Sequence, residues 1–278
     1  MHLFSKNKSN GKLEELSTVA EERKYLLTAK DDFFLQEAYK TLRTNVIFSL
    51  TGESACKVIT VTSSMQSEGK SITACNLGLS FAMADKRVLL IDCDMRKPKL
   101  GRLLQLSSPN GLSNILIEPQ LLSSSVLRFQ DTKMHVILAG NIPPNPSELL
   151  GSKRMEKLLS EMRNHYDYII LDSPPINMVT DAAILANLTD GVLFVVRNGH
   201  AERGNVQHAV EQLEYAHAKI LGFVLNGVTS EGHGYGKYKR YGYKRYGYGY
   251  GYGYGYRSRS AQAQSAQTQS AQEQSAQE

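Results

Sequence analysis

Apolar residues recur along this chain in two rhythms. Short continuous runs rich in Val, Ile and Leu alternate with longer stretches whose apolar positions return every three or four residues. The runs predict strands over 58–62, 88–92, 134–138, 168–172, 191–196 and 220–226. The periodic stretches predict helices over 71–84, 146–164, 180–187 and 203–216. Ahead of the first strand, Phe34, Leu35, Ala38, Leu42, Val46 and Ile47 fit one face of a helix over 31–50, with Asp31 or Asp32 as its cap. Asn145, Pro146 and Glu148 mark the start of helix 146–164 as a capping box. Strands that are apolar throughout are expected where helices cover both faces. Alternation of strand and helix then implies right-handed crossovers, so the expected class is α/β, a mostly parallel sheet with helices on both faces.

The pattern fails at both ends. Residues 1–30 are polar and read as a loosely ordered lead-in to a domain over 31–230, whose last strand should close near Val228. From 231 to 256 tyrosine alternates with glycine, interrupted by Lys and Arg, and ten of the fifteen tyrosines lie there. Glycine at every second position raises the cost of ordering the backbone and leaves no neighbours to bury the rings. Such tyrosines are displayed, not packed. Residues 257–278 repeat Ser-Ala-Gln-x-Gln with no larger aliphatic side chain, a low-complexity composition expected to be disordered.

Charge sharpens this division. The formal net charge is +5. Residues 232–278 carry Lys237, Lys239, Arg240, Lys244, Arg245, Arg257 and Arg259 against Glu273 and Glu278, so the whole excess lies in the tail. The three cysteines, Cys56, Cys75 and Cys93, have no metal-ligand spacing and suit a reduced compartment. Apolar runs fall far short of the ~20 residues that span a bilayer, and residues 1–12 lack a signal-peptide core. A soluble protein is expected.

Candidate chemistry clusters after three of the strands. Val58–Thr62 leads into Ser63-Ser-Met-Gln-Ser-Glu-Gly-Lys-Ser71 and then a helix, the setting of a phosphate-binding P-loop ending in Gly69-Lys70-Ser71. Loop amides and the helix N-terminus face the phosphates there, a Lys70 ammonium reaches the β/γ oxygens, and the Ser71 hydroxyl can bind Mg²⁺. Ser64 replaces the first glycine of the motif, and Ser67 stands where another glycine often lies. Asp92 and Asp94 follow the strand over 88–92, and Asp172 ends the strand over 168–172. On one parallel sheet these carboxylates emerge on the P-loop edge, where α/β sheets bind ligands. Hard Mg²⁺ favours such oxygens together with phosphate and water. Mg-nucleotide binding is therefore expected.

These residues, with Ile91-Asp-Cys-Asp-Met-Arg96, Leu171-Asp-Ser-Pro-Pro175, Gln36-Glu-Ala-Tyr-Lys-Thr-Leu-Arg-Thr-Asn45, Gly140-Asn-Ile-Pro-Pro-Asn-Pro-Ser-Glu-Leu-Leu150, Val179-Thr-Asp-Ala182 and the tyrosine-rich end, closely resemble the bacterial tyrosine autokinases of capsule and exopolysaccharide synthesis. The resemblance spans roughly residues 30–230. It implies a P-loop nucleoside-triphosphatase fold and an ATP-dependent tyrosine kinase. Ser67, Glu68, Gly69, Lys70, Ser71 and Ile72 would bind nucleotide, as would Asn226, where related ATPases contact adenine. Ser71, Asp94 and Asp172 would hold Mg²⁺. Lys70, Asp92 and Asp94 would be catalytic, and either aspartate could serve as base. A phenol with a pKa near ~10 needs such an acceptor at neutral pH.

By the same resemblance, Glu37, Lys40 and Arg43 would form part of a ring-shaped homo-oligomer interface. Lys40 replaces an arginine and cannot make its carboxylate fork. The acceptors would be Tyr235, Tyr238, Tyr241, Tyr243, Tyr246, Tyr248, Tyr250, Tyr252, Tyr254 and Tyr256. A flexible span of ~25–30 Å over this segment allows entry into a neighbour's site. The resemblance further implies a transmembrane, co-polymerase-like adaptor that activates the chain, a cognate phosphotyrosine phosphatase, and a cytoplasmic location at the inner face of the membrane. Each phosphotyrosine adds ~1.5–2 negative charges, so about three would cancel the tail's excess.

Two other functions fit parts of the pattern. Tyr, Gly, Lys and Arg interleaved also describe segments that stack on nucleic-acid bases, making the chain a nucleotide-driven switch. Against specific nucleic-acid binding stands Met65, where related partitioning ATPases carry lysine. A non-catalytic scaffold would require a damaged site, whereas Lys70 and all three aspartates are present.

Overall fold

The computed structural model describes residues 21–28, 33–50 and 54–228. Asp31 and Asp32, the tyrosine cluster over 231–256 and the repeat over 257–278 lie outside the described residues. One compact unit closes at Val228.

Its centre is a seven-stranded sheet of β1 (Lys57–Ser63), β2 (Val88–Asp92), β3 (Leu127–Arg128), β4 (Met134–Ile137), β5 (Tyr168–Asp172), β6 (Gly191–Arg197) and β7 (Ile220–Asn226). The order across the sheet is β3-β4-β2-β5-β1-β6-β7. All pairings are parallel except that of β3 with β4. The α/β expectation therefore holds, with one short antiparallel edge. The predicted cause of the continuous apolar runs holds for the central strands, with β2 buried at every position and β1 at all but its first, but not for the edge strand β7, where Phe223 and Leu225 are exposed.

Helices α1 (Phe33–Ser49), α2 (Lys70–Met83), α3 (Leu100–Leu104), α4 (Leu112–Ile117), α5 (Leu122–Ser125), α6 (Pro146–Leu150), α7 (Lys153–Met162), α8 (Asp181–Ala186) and α9 (Arg203–Tyr215) complete the fold. Alternate strand residues feed opposite cores. Ile59, Val61, Val88 and Leu90 join Leu77 and Phe81 of α2, whereas Val58, Leu89 and Ile91 join Leu116 of α4 and Leu159 of α7.

Four expectations need correction. The helix over 146–164 is two helices, α6 and α7, broken at Gly151–Ser152; Ser152 caps α7 by accepting from the Met155 amide at 3.4 Å. Asn145 makes no side-chain cap; its amide instead donates to the Glu148 carboxylate. The buried stripe of α1 runs through Leu35, Tyr39, Leu42 and Val46, leaving Phe34, Ala38 and Ile47 exposed. Lastly, residues 21–28 are not all loose lead-in. Asn76 on α2 is fully buried, and its amide finds partners there, donating to the Tyr25 carbonyl at 2.7 Å and accepting from the Leu27 amide at 2.8 Å. A buried amide left unpaired is costly, and Leu27 fills the core beside it.

Candidate active site

The phosphate loop begins where β1 ends. Register makes Asp172 the partner of Val61 in β1 and of Asp92 in β2, so both acidic strand ends meet the loop at the carboxyl edge of the sheet. Asp92 and Asp172 are fully buried, Asp94 is 5 % exposed and Lys70 is 8 % exposed. Lys70 Nζ lies 3.5 Å from Asp94 Oδ2. Burial alone would pull the Lys70 ammonium towards neutrality, but Asp172, Asp94 and Asp92 together hold its pKa above the usual value.

The aspartates differ in their surroundings. Asp92 is braced from both sides, accepting from the Asp94 amide at 3.2 Å and the Leu100 amide at 3.1 Å. Burial, with Asp172 and Asp94 nearby, raises its pKa well above the carboxylate range. Asp94 accepts from the Lys97 amide at 3.0 Å as well as facing Lys70. Neither oxygen of Asp172 has a hydrogen-bond partner among the described residues. Burial pushes this carboxyl up to about 6, opposed by Lys70.

A buried carboxylate with both oxygens unpaired is expensive unless something else binds it. Hydroxyl and carboxylate oxygens at Ser71, Asp94 and Asp172 match the hard-oxygen preference of Mg²⁺. Among the described residues no group of three or more His, Cys, Asp or Glu side chains cages an ion. An ion held by so few protein oxygens would complete its shell with phosphate and water, as Mg²⁺ commonly does.

The loop itself is held from within and without. Inside, the fully buried Glu68 carboxylate accepts from the Ser64 hydroxyl at 2.9 Å and the Met65 amide at 2.9 Å. Outside, three consecutive carbonyls each receive a side-chain donor or ring nitrogen. His200 Nε2 lies 3.3 Å from the Gln66 carbonyl, an Arg197 guanidinium nitrogen donates to that of Ser67 at 2.8 Å, and Asn226 Nδ2 donates to that of Glu68 at 3.0 Å. Ser67 and Gly69 take left-handed conformations, with φ of 63° and 92°. Alternation of such residues concentrates amides into an anion-binding nest.

The other sequence-selected residues fall in different places. Ile72 is 7 % exposed and its side chain belongs to the core. Asn226 is engaged at both ends, since its Oδ1 also accepts from the Gly227 amide at 2.8 Å. Glu37 and Lys40 pair with each other at 2.7 Å on the surface of α1. Arg43 turns inward and donates to the Ser80 carbonyl of α2. The ten tail tyrosines, Tyr235 to Tyr256, lie outside the described residues.

Sequence reasoning missed two groups. Arg197 and His200 sit just beyond β6, at the sheet edge where ligands bind; position at a strand end was their only local signal. The second is a brace on the acidic loop after β2. Arg96 Nε donates to Asp181 at 3.1 Å, and a second guanidinium nitrogen donates to its other oxygen at 3.2 Å. Ser147 donates to the same fully buried carboxylate at 2.6 Å.

Known proteins share this architecture. A family described as an AAA domain matches residues 56–220. Tyrosine-protein kinase YwqD of Bacillus subtilis is 39 % identical over 203 residues, covering 73 % of this chain and 85 % of that protein. Tyrosine-protein kinase CpsD of Streptococcus agalactiae is 37 % identical over 208 residues, covering 74 % and 90 %. Among solved structures, the kinase domain of Escherichia coli tyrosine kinase ETK matches with a TM-score of 0.67 and 32 % identity, over 80 % of each chain. With its P-loop, its acidic strand ends and this extent of similarity, the chain belongs to the bacterial tyrosine-protein kinase family.

Proposed function

We propose that the chain transfers the γ-phosphoryl group of ATP to tyrosines of its own C-terminal cluster, in trans within an oligomer, and thereby regulates capsular or exopolysaccharide synthesis and export. The observation that carries this reading is the meeting of Lys70, Ser71, Asp92, Asp94 and Asp172 at one sheet edge, in a chain that also carries ten tyrosines in an unpackable segment. The names of its relatives support the reaction class.

In the proposed reaction, loop amides and Lys70 orient the phosphates, and Ser71, Asp94 and Asp172 would hold Mg²⁺. That ion, when bound, neutralises charge on the phosphoryl oxygens. The tyrosine oxygen forms a bond to the γ-phosphorus as the bridging bond to ADP breaks. The phenolic proton passes to a carboxylate. Asp92, the last residue of β2, and Asp94, two residues beyond it and 3.5 Å from Lys70, are the candidate acceptors.

Among the described residues no helix is long and apolar enough to cross a membrane. Recruitment to the inner membrane face is proposed to rest on a separate transmembrane adaptor, and reversal on a phosphotyrosine phosphatase. A ring built through Glu37, Lys40 and Arg43 is supported by the apolar residues displayed on the same helix. Phe33, Phe34, Ile47 and Phe48 are 61, 59, 42 and 79 % exposed.

The test is incubation of the full chain with Mg-ATP and the adaptor, followed by mass spectrometry of the tail. Phosphotyrosine within 235–256 that vanishes in Lys70→Met is expected. Its absence from the wild-type chain would sink the proposal.

A further inference from the structure

The loop carries serines at two positions where a P-loop commonly uses glycine, and one of them, Ser67, is held in the left-handed region. For an L-residue that conformation is unfavourable by roughly 1–2 kcal/mol, so surrounding contacts must hold it. The contacts present are specific. His200, Arg197 and Asn226, all from the ends of β6 and β7, engage the carbonyls of residues 66, 67 and 68 in succession.

The consequence follows from peptide geometry. Across a planar trans peptide the carbonyl of one residue and the amide of the next point in opposite directions. Holding the carbonyls of Gln66, Ser67 and Glu68 outward therefore turns the amides of Ser67, Glu68 and Gly69 towards the inside of the loop. We propose that Arg197, His200 and Asn226 are positioning residues for phosphate binding, acting through these three carbonyls to aim the loop amides. The inference rests on the nucleotide-binding reading of the site and is independent of whether phosphate is transferred to tyrosine.

Each member is fitted to the task by its place. Arg197 is the last residue of β6, paired in register with Asn226, the last residue of β7, so one backbone ladder fixes both donors. Glu68 restrains the opposite side by binding Ser64 and Met65. The loop is thus held between an inner carboxylate and an outer row of donors. Arg197 and His200 are exposed, so neither contributes to the hydrophobic core.

A role confined to stability would weaken all ligands alike, whereas aimed amides matter only to phosphate. The experiment measures Mg-ADP and adenosine affinity on the full chain, by displacement of a fluorescent ADP analogue, with thermal midpoints recorded in parallel. Arg197→Ala is expected to weaken Mg-ADP roughly three- to ten-fold, the range of a lost hydrogen bond, with adenosine changed less than about two-fold. Arg197→Lys keeps one donor and is expected to recover at least about half of the loss, and Arg197→Ala with His200→Ala to exceed it. Unchanged Mg-ADP affinity, an equal loss for adenosine, or no recovery by lysine would each overturn the proposal. Lys70→Met separates the two layers. If it binds Mg-ADP like the wild type, the nucleotide reading itself fails; if it loses binding while Arg197→Ala keeps it, only the positioning role fails.

Discussion

A β-carbon placed on Gly69 would lie 1.9 Å from Asn226 Nδ2 and 3.1 Å from Asn226 Cγ. The residue between the phosphate loop and its helix is therefore confined from outside by the end of β7, as well as by its own φ of 92°. Gly69→Ala is expected to weaken nucleotide binding at least about ten-fold, through collision and left-handed strain together. Adding Asn226→Ala removes the collision but not the strain, so the double variant should recover part of the loss. A double variant as weak as the additive sum of the two single losses, or weaker, would show that the two side chains do not conflict.

Asp172 predicts a trade of stability for function. Its pKa is raised to about 6 in the folded protein, so between the ordinary carboxylate value and about 6 the native state holds more protons than the unfolded chain. Stability from this group is present in acid, is lost as pH rises through that window, and stays lost above it. Asp172→Asn should therefore stabilise the ligand-free protein at pH 7 by an amount on the order of 1–3 kcal/mol, while abolishing Mg-dependent activity. Denaturation without nucleotide or Mg²⁺ should show the advantage shrinking below about pH 6. A wild-type chain more stable than the variant at pH 7 would contradict this.

Ser67 offers a smaller test of the same loop. Ser67→Gly relieves the left-handed strain but adds freedom to the unfolded chain, leaving a net gain of about 0.5–1 kcal/mol. The thermal midpoint should rise slightly. A fall would mean that the Ser67 side chain contributes something beyond the contacts described.

Asp181 braces the acidic loop from a distance. Its buried carboxylate receives two bonds from Arg96 and one from Ser147. Asp181→Asn removes the charge that these donors share and should cost about 1–2 kcal/mol, discounted because the Arg96 side chain is 39 % exposed. Because Arg96 lies two residues beyond Asp94, which would hold Mg²⁺, both turnover and Mg-ADP affinity should fall. Turnover and affinity that are both unchanged would leave Arg96 with no role at the site.

Much of this molecule could be read from local pattern alone. Six of the seven strands lie in apolar runs; β1, β2 and β5 do so because both faces are covered, whereas β7, at the sheet edge, is apolar although Phe223 and Leu225 are exposed. The phosphate loop and the acids at 92 and 172 were visible because each directly follows such a run. Helices α3 to α5 were not, being too short to establish a period. The break between α6 and α7 was hidden because apolar spacing continues across Gly151.

Chain chemistry and element type thus followed from residues a few positions apart. Side-by-side placement of β2 and β5, which brings Asp92 level with Asp172, did not. Nor did the convergence of Arg197, His200 and Asn226 on one loop from about 130 to 160 residues away. Those relationships depend on strand order and register, which are selected by burial of the central strands between two helical layers. No local run of sequence carries that information.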